Sequence, residues 1–238
     1  MNETPPQTRV RSICLKNGLP LSEEQHERLS RFVSGLLVWN QKINLISRKD
    51  TDHVWYSHIL HSLAPLFYLD IPSGWRLFDL GTGGGFPGIP LAIARPDLHF
   101  TLVDSIRKKI MVVEDLATRL GLENVDVCVG RGEEIAREKG WRGRYDVILA
   151  RAVAPVAELM KWSKPLYSGR RVDVEETGKM GTRIPASPLV ALKGGDLERE
   201  ISEARLRMSA SAITVINMSF EGSLELGLED KKLVLAHF

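Results

Sequence analysis

A doubly wound α/β fold, with a mostly parallel sheet of seven strands and helices on both faces, is predicted by three features of this 238-residue chain. From Arg76 onward, short apolar runs alternate with stretches of helical periodicity, the rhythm of successive βαβ units. At the first junction, Leu77-Phe78-Asp79-Leu80 runs into Gly81-Thr82-Gly83-Gly84-Gly85-Phe86-Pro87-Gly88 and resumes as Ile89, Leu91, Ala92, Ile93 and Ala94, which reads as a buried strand, a tight turn and a packed helix. The last two apolar runs are joined by the 221–230 loop with no helix between them, which predicts an antiparallel pair closing one edge.

Taken in order, residues 1–17 predict a short helix around Ile13-Cys14-Leu15. Ser22 and Gln25 form a capping-box pattern, and Leu29, Phe32, Val33, Leu36 and Leu37 recur at helical spacing to about Trp39. Asp52 is the expected cap of another helix, with Trp55, Ile59, Leu63, Leu66 and Phe67 on one face. Residues 1–72 thus read as an N-terminal helical cap and 73–238 as the α/β domain. Strands are expected at 76–80, 99–104, 124–129, 145–150, 187–193, 213–220 and 231–238, with helices at 87–95, 106–120, 132–139, 153–164 and 196–208. Pro87 suits the first turn of the helix after the glycines, where its missing N–H is not needed.

Composition narrows the function classes. With 43% hydrophobic and 26% charged residues the chain can build one large core, and its net charge of +2 is close to balanced. No run approaches a membrane-spanning length, and Met1-Asn2-Glu3-Thr4-Pro5-Pro6 lacks a basic region leading into an apolar segment, so a cytoplasmic protein is expected. Cys14 and Cys128 lie far apart, on an apolar helix face and in a strand read as buried, which points to packing and away from a disulfide or metal site. His58 and His61 are three apart without a third ligand in sequence, so no metal is expected there. Local basic groups occur at Arg107-Lys108-Lys109, at Arg142 and Arg144, and along Lys161, Lys164, Arg170, Arg171, Lys179 and Arg183. Each suits phosphate contact or a solvated surface.

The glycine turn does not name its ligand. Gly83, Gly85 and Gly88 satisfy the dinucleotide pattern G-x-G-x-x-G, while Gly81, Gly83 and Gly85 satisfy the shorter G-x-G-x-G that follows an acidic strand end in S-adenosylmethionine enzymes. In either case glycines admit positive φ and let backbone N–H groups approach a ligand. Asp104, about 20 residues on at the end of the second strand, is placed to accept the two hydroxyls of a ribose, again for NAD or S-adenosylmethionine alike. The third strand ends Gly130-Arg131-Gly132-Glu133-Glu134, whose carboxylates can receive an adenine amino group or simply favour a helix N-terminus. Arg151 ends the fourth strand beside the crevice where such sheets bind ligands.

Together these motifs resemble a known family. The glycine stretch through Pro90-Leu91-Ala92, Val103-Asp104-Ser105 with Lys108-Lys109, the turn of Arg131 and Glu133-Glu134, Arg151-Ala152, Ala191-Leu192-Lys193-Gly194, and upstream Trp39-Asn40, Asn44-Leu45 and His58-Ile59-Leu60 are similar to the bacterial glucose-inhibited-division-B family. Its members are small-subunit ribosomal RNA guanine-N7 methyltransferases of the Rossmann-like class I fold. The resemblance covers the chain from about residue 20 and implies S-adenosyl-L-methionine as cofactor and ribosomal RNA or the small ribosomal subunit as partner, with no membrane and a monomeric enzyme. It also implies that Gly81, Phe86, Gly132, Glu133 and Arg151 hold the cofactor, beside Gly83, Gly85 and Asp104 from the reading above, and that Arg131 and Lys193 are candidates for RNA contact, to which the need of guanine and its phosphates for cationic partners adds Arg151. The chain departs from the family in having Ser57 and His61 around His-Ile-Leu, in place of arginine and aspartate. It also has Gly84 and Phe86 in the turn and a longer basic segment over 166–189, which reads as an RNA-contacting loop or a surface loop, the second slightly favoured.

The sparse catalytic inventory suits this chemistry. Guanine N7 carries an in-plane lone pair, so attack on a methyl group needs no prior deprotonation, and positioning with exclusion of water can supply most of the acceleration. The position after the fourth strand reads Arg151-Ala152-Val153-Ala154, without the Asn/Asp-Pro-Pro-aromatic sequence of amine methylation, and neither cysteine is placed to activate a pyrimidine. Two other readings remain: a nicotinamide-dependent oxidoreductase, for which no Tyr-x-x-x-Lys pair is present, and a non-catalytic ribosome-assembly factor on the same fold.

Overall fold

The computed structural model describes residues 4–170, 184–208 and 212–237. Seven strands form one sheet: β1 (Arg76–Leu80), β2 (His99–Asp104), β3 (Val125–Val129), β4 (Val147–Arg151), β5 (Leu189–Gly194), β6 (Ile213–Asn217) and β7 (Lys231–Ala236). Their spatial order is β3-β2-β1-β4-β5-β7-β6, parallel except that β7 runs antiparallel to both β5 and β6. The expected doubly wound sheet with an antiparallel closing pair is what forms.

The strands read as unbroken apolar runs because both faces of the sheet are covered. Leu77 of β1, Val147 and Leu149 of β4, and Leu233 and Leu235 of β7 enter one core with the N-terminal helices and the helices Gly88–Ala94 and Arg107–Arg119. The alternate residues Phe78, Leu80, Ile148, Ala150, Val234 and Ala236 enter a second core with the helices Val156–Ser163 and Glu198–Arg207. This period-two division is the pleat of each strand feeding two layers.

The N-terminal helices are fastened by polar side chains as well as by the core. Helix Glu23–Asn40 opens with the expected box: Gln25 N–H donates to Ser22 Oγ at 3.1 Å and Ser22 N–H to Gln25 Oε1 at 2.9 Å. The same Gln25 amide donates to the carbonyls of Ile93 and Ala94, completing the end of the helix after the glycine turn. Trp39 Nε1 donates to Asp115 at 2.8 Å, and Asn40 Oδ1 accepts from the N–H groups of Leu45 and Ile46, which fixes the loop that follows.

Several boundaries differ from the sequence reading. Asp52 caps no helix: a 3₁₀ turn at Arg48–Asp50 precedes π-type turns at Trp55–Leu60, short helices at His61–Leu63 and Pro65–Tyr68, and a two-residue parallel pairing of Leu69–Asp70 with Ile184–Pro185. The helix expected over 132–139 ends at Ile135, and the chain turns through Lys139–Trp141 so that Trp141 can pack on Phe78 and Tyr145. Cys128 is only half-buried, since β3 is an edge strand, whereas Cys14 is buried and its thiol is pushed up to about 12 by desolvation. Most of the 166–189 segment, with Arg171, Lys179 and Arg183, lies outside the described residues. No helix among the described residues is long and apolar enough to cross a membrane.

Candidate active site

The strand order reverses between β1 and β4, and a cleft of about 480 Å³ opens at the carboxyl ends around that point. This is where open α/β sheets bind ligands, and the volume suits a nucleoside-sized molecule. Gly81, Gly83, Phe86, Asp104, Arg131, Gly132, Glu133 and Arg151 all line it, so seven of the eight predicted cofactor residues meet here, and two of the three predicted RNA contacts, Arg131 and Arg151, are among the lining. Gly85 lies outside the lining, with φ +94 and an added Cβ 2.8 Å from Ile89, so it serves the turn itself. Lys109, Leu45, Val153 and Trp162 line the cleft too, without having been singled out by sequence.

Two glycines show what the turn requires. Gly81 has φ +73, and an added Cβ would lie 2.7 Å from Val153 Cγ2, so the turns after β1 and β4 approach as closely as they do only without a side chain. Gly83 has φ +59 with open space where its Cβ would be, which leaves room for a ligand to lie close to the turn. The turn is also held from below. Asp79, fully buried, accepts through Oδ2 from Thr82 Oγ1 at 2.7 Å and from Gly88 N–H at 2.9 Å, while Oδ1 has no partner among the described residues. Burial raises its carboxyl to about 6. The signal for Asp79 was a lone acid inside an apolar strand two residues before the first glycine.

Asp104 is 8% exposed, deeper than a bare strand-end ribose acceptor would be, and works for the turn as well. Its Oδ2 accepts from Gly83 N–H at 3.0 Å and its Oδ1 from Ile106 N–H at 2.9 Å. A carboxylate has lone pairs to spare beyond these two, so hydroxyls in the cleft can still be accepted. Gly132 packs tightly, an added Cβ lying 2.4 Å from Leu80 Cδ1. Arg131 is largely exposed and 3.9 Å from Glu133.

Arg151 sits on the far wall, its guanidinium 4.8 Å from the Phe86 ring centre and donating to His58 Nδ1 at 2.7 Å. A guanidinium only donates, so this nitrogen must accept, and the imidazole proton lies on Nε2, 3.5 Å from Asp50 Oδ2. His58, stacked on Phe86, is kept neutral by burial and by Arg151, its pKa lowered to about 4. Burial likewise lowers Arg151, to about 10, against the opposing pull of Asp79 and Asp50, so it is charged at neutral pH. Ala152, next in the chain, is the one described non-glycine residue in the left-handed region, at φ +55, a conformation that costs about 1–2 kcal/mol.

Arg151 and Ala152 also line a second cavity of about 430 Å³ that includes Asp50, Ser57, His58, His61, Lys193 and Lys231. Thus Arg131 and Arg151 share the first cavity, and Arg151 and Lys193 the second. The Lys193 ammonium is already engaged, donating to Ala154 O and to Glu200, each at 2.7 Å.

A family model described as rRNA small subunit methyltransferase G matches residues 25–226. The ribosomal RNA small subunit methyltransferase G of Bacteroides thetaiotaomicron is 39% identical over 93% of this chain and 97% of its own length. That of Porphyromonas gingivalis is 42% identical over 76% and 75%. Among solved structures, cofactor-bound Rv0187 from MTB superposes with a TM-score of 0.56 at 16% identity over 99% of this chain and 98% of that one. M. jannaschii TYW2 in complex with AdoMet gives 0.50 at 11% over 82% and 77%.

Proposed function

We propose, from the premise that this chain belongs to the rRNA small subunit methyltransferase G family, that the cleft at the β1/β4 switch point holds S-adenosylmethionine with its reactive end turned towards Arg151. The enzyme is an S-adenosylmethionine-dependent methyltransferase of small-subunit ribosomal RNA, acting at guanine N7. The observation that carries the assignment of the cleft is the open space over the left-handed Gly83, in a cavity that the Asp104 and Glu133 carboxylates and Arg151 also line.

When bound, the cofactor supplies an electrophilic sulfonium methyl. The turn over Gly81 and Gly83 would let its polar end lie close to the backbone, Asp104 would accept from the ribose hydroxyls, and Glu133 would receive the adenine amino group. Phe86 and Arg151 would form the wall on that side, and Leu45, Val153 and Trp162 would exclude water. Asp79 and Asp50 both lie near enough to Arg151 to act on its charge, so this wall does not repel a cation strongly. No residue has to remove a proton, because N7 presents a free lone pair. The loop that follows helix Glu23–Asn40 reaches the cleft: Leu45, fixed by Asn40, contributes to its lining.

The test is to incubate the purified enzyme with methyl-labelled cofactor and either 16S ribosomal RNA or small subunits lacking the modification. The methyl is expected on one guanosine, where borohydride reduction followed by aniline cleaves the chain. A methyl recovered on another base or on ribose would overturn the reading.

A further inference from the structure

Resting on that reading, we infer that the second cavity is the pocket for the target base and that the Asp50 carboxylate selects guanine in it, by accepting from N1–H and the N2 amino group. The cavity abuts the cofactor cleft through Arg151 and Ala152, so a base lying in it has one edge at the shared wall. For methylation at N7 that edge carries N7 and O6, both acceptors, and O6 needs a donor that leaves N7 free. The Arg151 guanidinium, which can only donate, stands in that wall.

The opposite edge of guanine presents two donors in a row and needs an acceptor. Among the cavity's described lining residues Asp50 is the sole carboxylate. It is held in place by Ser47 Oγ, which donates to Oδ2 at 2.7 Å, while Oδ1 has no partner among the described residues. Arg151 and Asp50 are kept apart by the width of one imidazole and the two polar contacts of His58, so a purine lying along the row meets a donor at one end and an acceptor at the other. Adenine in the same place would set its amino group against the guanidinium and a lone pair against the carboxylate, so both ends reject it.

His61, which also lines the cavity, is 8% exposed, and its Nε2 is enclosed by protein without a hydrogen-bond partner among the described residues. Desolvation keeps His61 neutral, with a pKa lowered to about 3, so the negative charge in the pocket rests on Asp50.

The experiment uses small subunits assembled on RNA with guanosine or inosine at the methylated position. Inosine keeps N7, O6 and N1–H but lacks the amino group. Wild-type enzyme is expected to favour guanosine over inosine by about tenfold or more in kcat/KM, the loss of one charge-assisted hydrogen bond. Asp50→Ala is expected to lower kcat/KM on guanosine about ten- to a hundredfold and to bring the guanosine-to-inosine ratio near one, with any loss of S-adenosylmethionine affinity by calorimetry much smaller than the loss of turnover, since Asp50 also acts on the charge of Arg151. Asp50→Asn, which keeps one acceptor and the loop geometry, should fall between. A full guanosine preference in Asp50→Ala overturns the inference. So does a loss of cofactor affinity that tracks the loss of turnover, which would assign Asp50 to the cofactor. If the wild-type enzyme forms no N7-methylguanosine at all, the broader reading fails instead.

Discussion

Replacing Gly83 by alanine separates the role of the turn's shape from the role of the open space beside it. Gly83 and Gly121 are both left-handed glycines, at φ +59 and +64, and neither has an atom within 4 Å of an added Cβ. Alanine at either position should therefore carry the same backbone strain, about 1–2 kcal/mol. For a chain of this length that lowers Tm by about 2–8 °C. The two differ in place: Gly83 lines the cleft, whereas Gly121 follows helix Arg107–Arg119, just before β3 begins at the opposite end of the sheet. A methyl group forced into a packed contact costs about 1–3 kcal/mol, so Gly83→Ala should weaken S-adenosylmethionine by about five- to 150-fold, while Gly121→Ala should leave its affinity unchanged. Calorimetric titration of both variants beside thermal melts is the assay. Equal affinities in Gly83→Ala, Gly121→Ala and wild type would refute the placement of the cofactor against this turn.

Other outcomes follow from the two carboxylates around the turn. Asp104→Ala should lose about 2–4 kcal/mol of stability, because Gly83 and Ile106 N–H lose their acceptor, as well as about ten- to a hundredfold in cofactor affinity. An unchanged Tm together with unchanged affinity would exclude both roles. Asp79 has its carboxyl raised from 3.8 to about 6, so the native state binds a proton more readily than the unfolded chain, and its contribution to stability declines as pH rises from about 4 to 6. The whole effect is worth about 3 kcal/mol. Asp79→Asn keeps an acceptor for Thr82 and Gly88 but cannot titrate, so denaturant melts from pH 4 to 7 should lose this slope, and a slope that persists would place the titration elsewhere.

The sheet was legible because its strands are apolar on both faces and its helices carry their own punctuation. Ser22 with Gln25, and the glycines after Leu80, act over a few residues and need no tertiary partner. The 48–68 region was not legible in the same way. Asp52 looked like a cap, yet the helical turn begins earlier and widens through Trp55–Leu60, where His58 must reach Arg151, 93 residues away. The extent of helix 132–135 was likewise set by Trp141 reaching a distant aromatic cluster. Strand-end residues could be assigned to the cleft from topology alone, but their partners could not. Nothing local says that Lys193 is neutralised by Glu200, that Asp104 is tied to Gly83, or that His58 serves an arginine and not a metal.

Arg151 and Ala152 divide the two cavities, and a partition only two residues thick cannot treat its sides independently. The guanidinium is already turned by Phe86 and His58, and the strained backbone of Ala152 leaves the following turn little freedom to adjust. Whatever shifts this wall in one cavity shifts it in the other, so a change at Arg151 or Ala152 is felt by base and cofactor together. Any coupling between the two through it must be reciprocal: whatever factor a bound base adds to the cofactor's affinity, the bound cofactor adds to the base's.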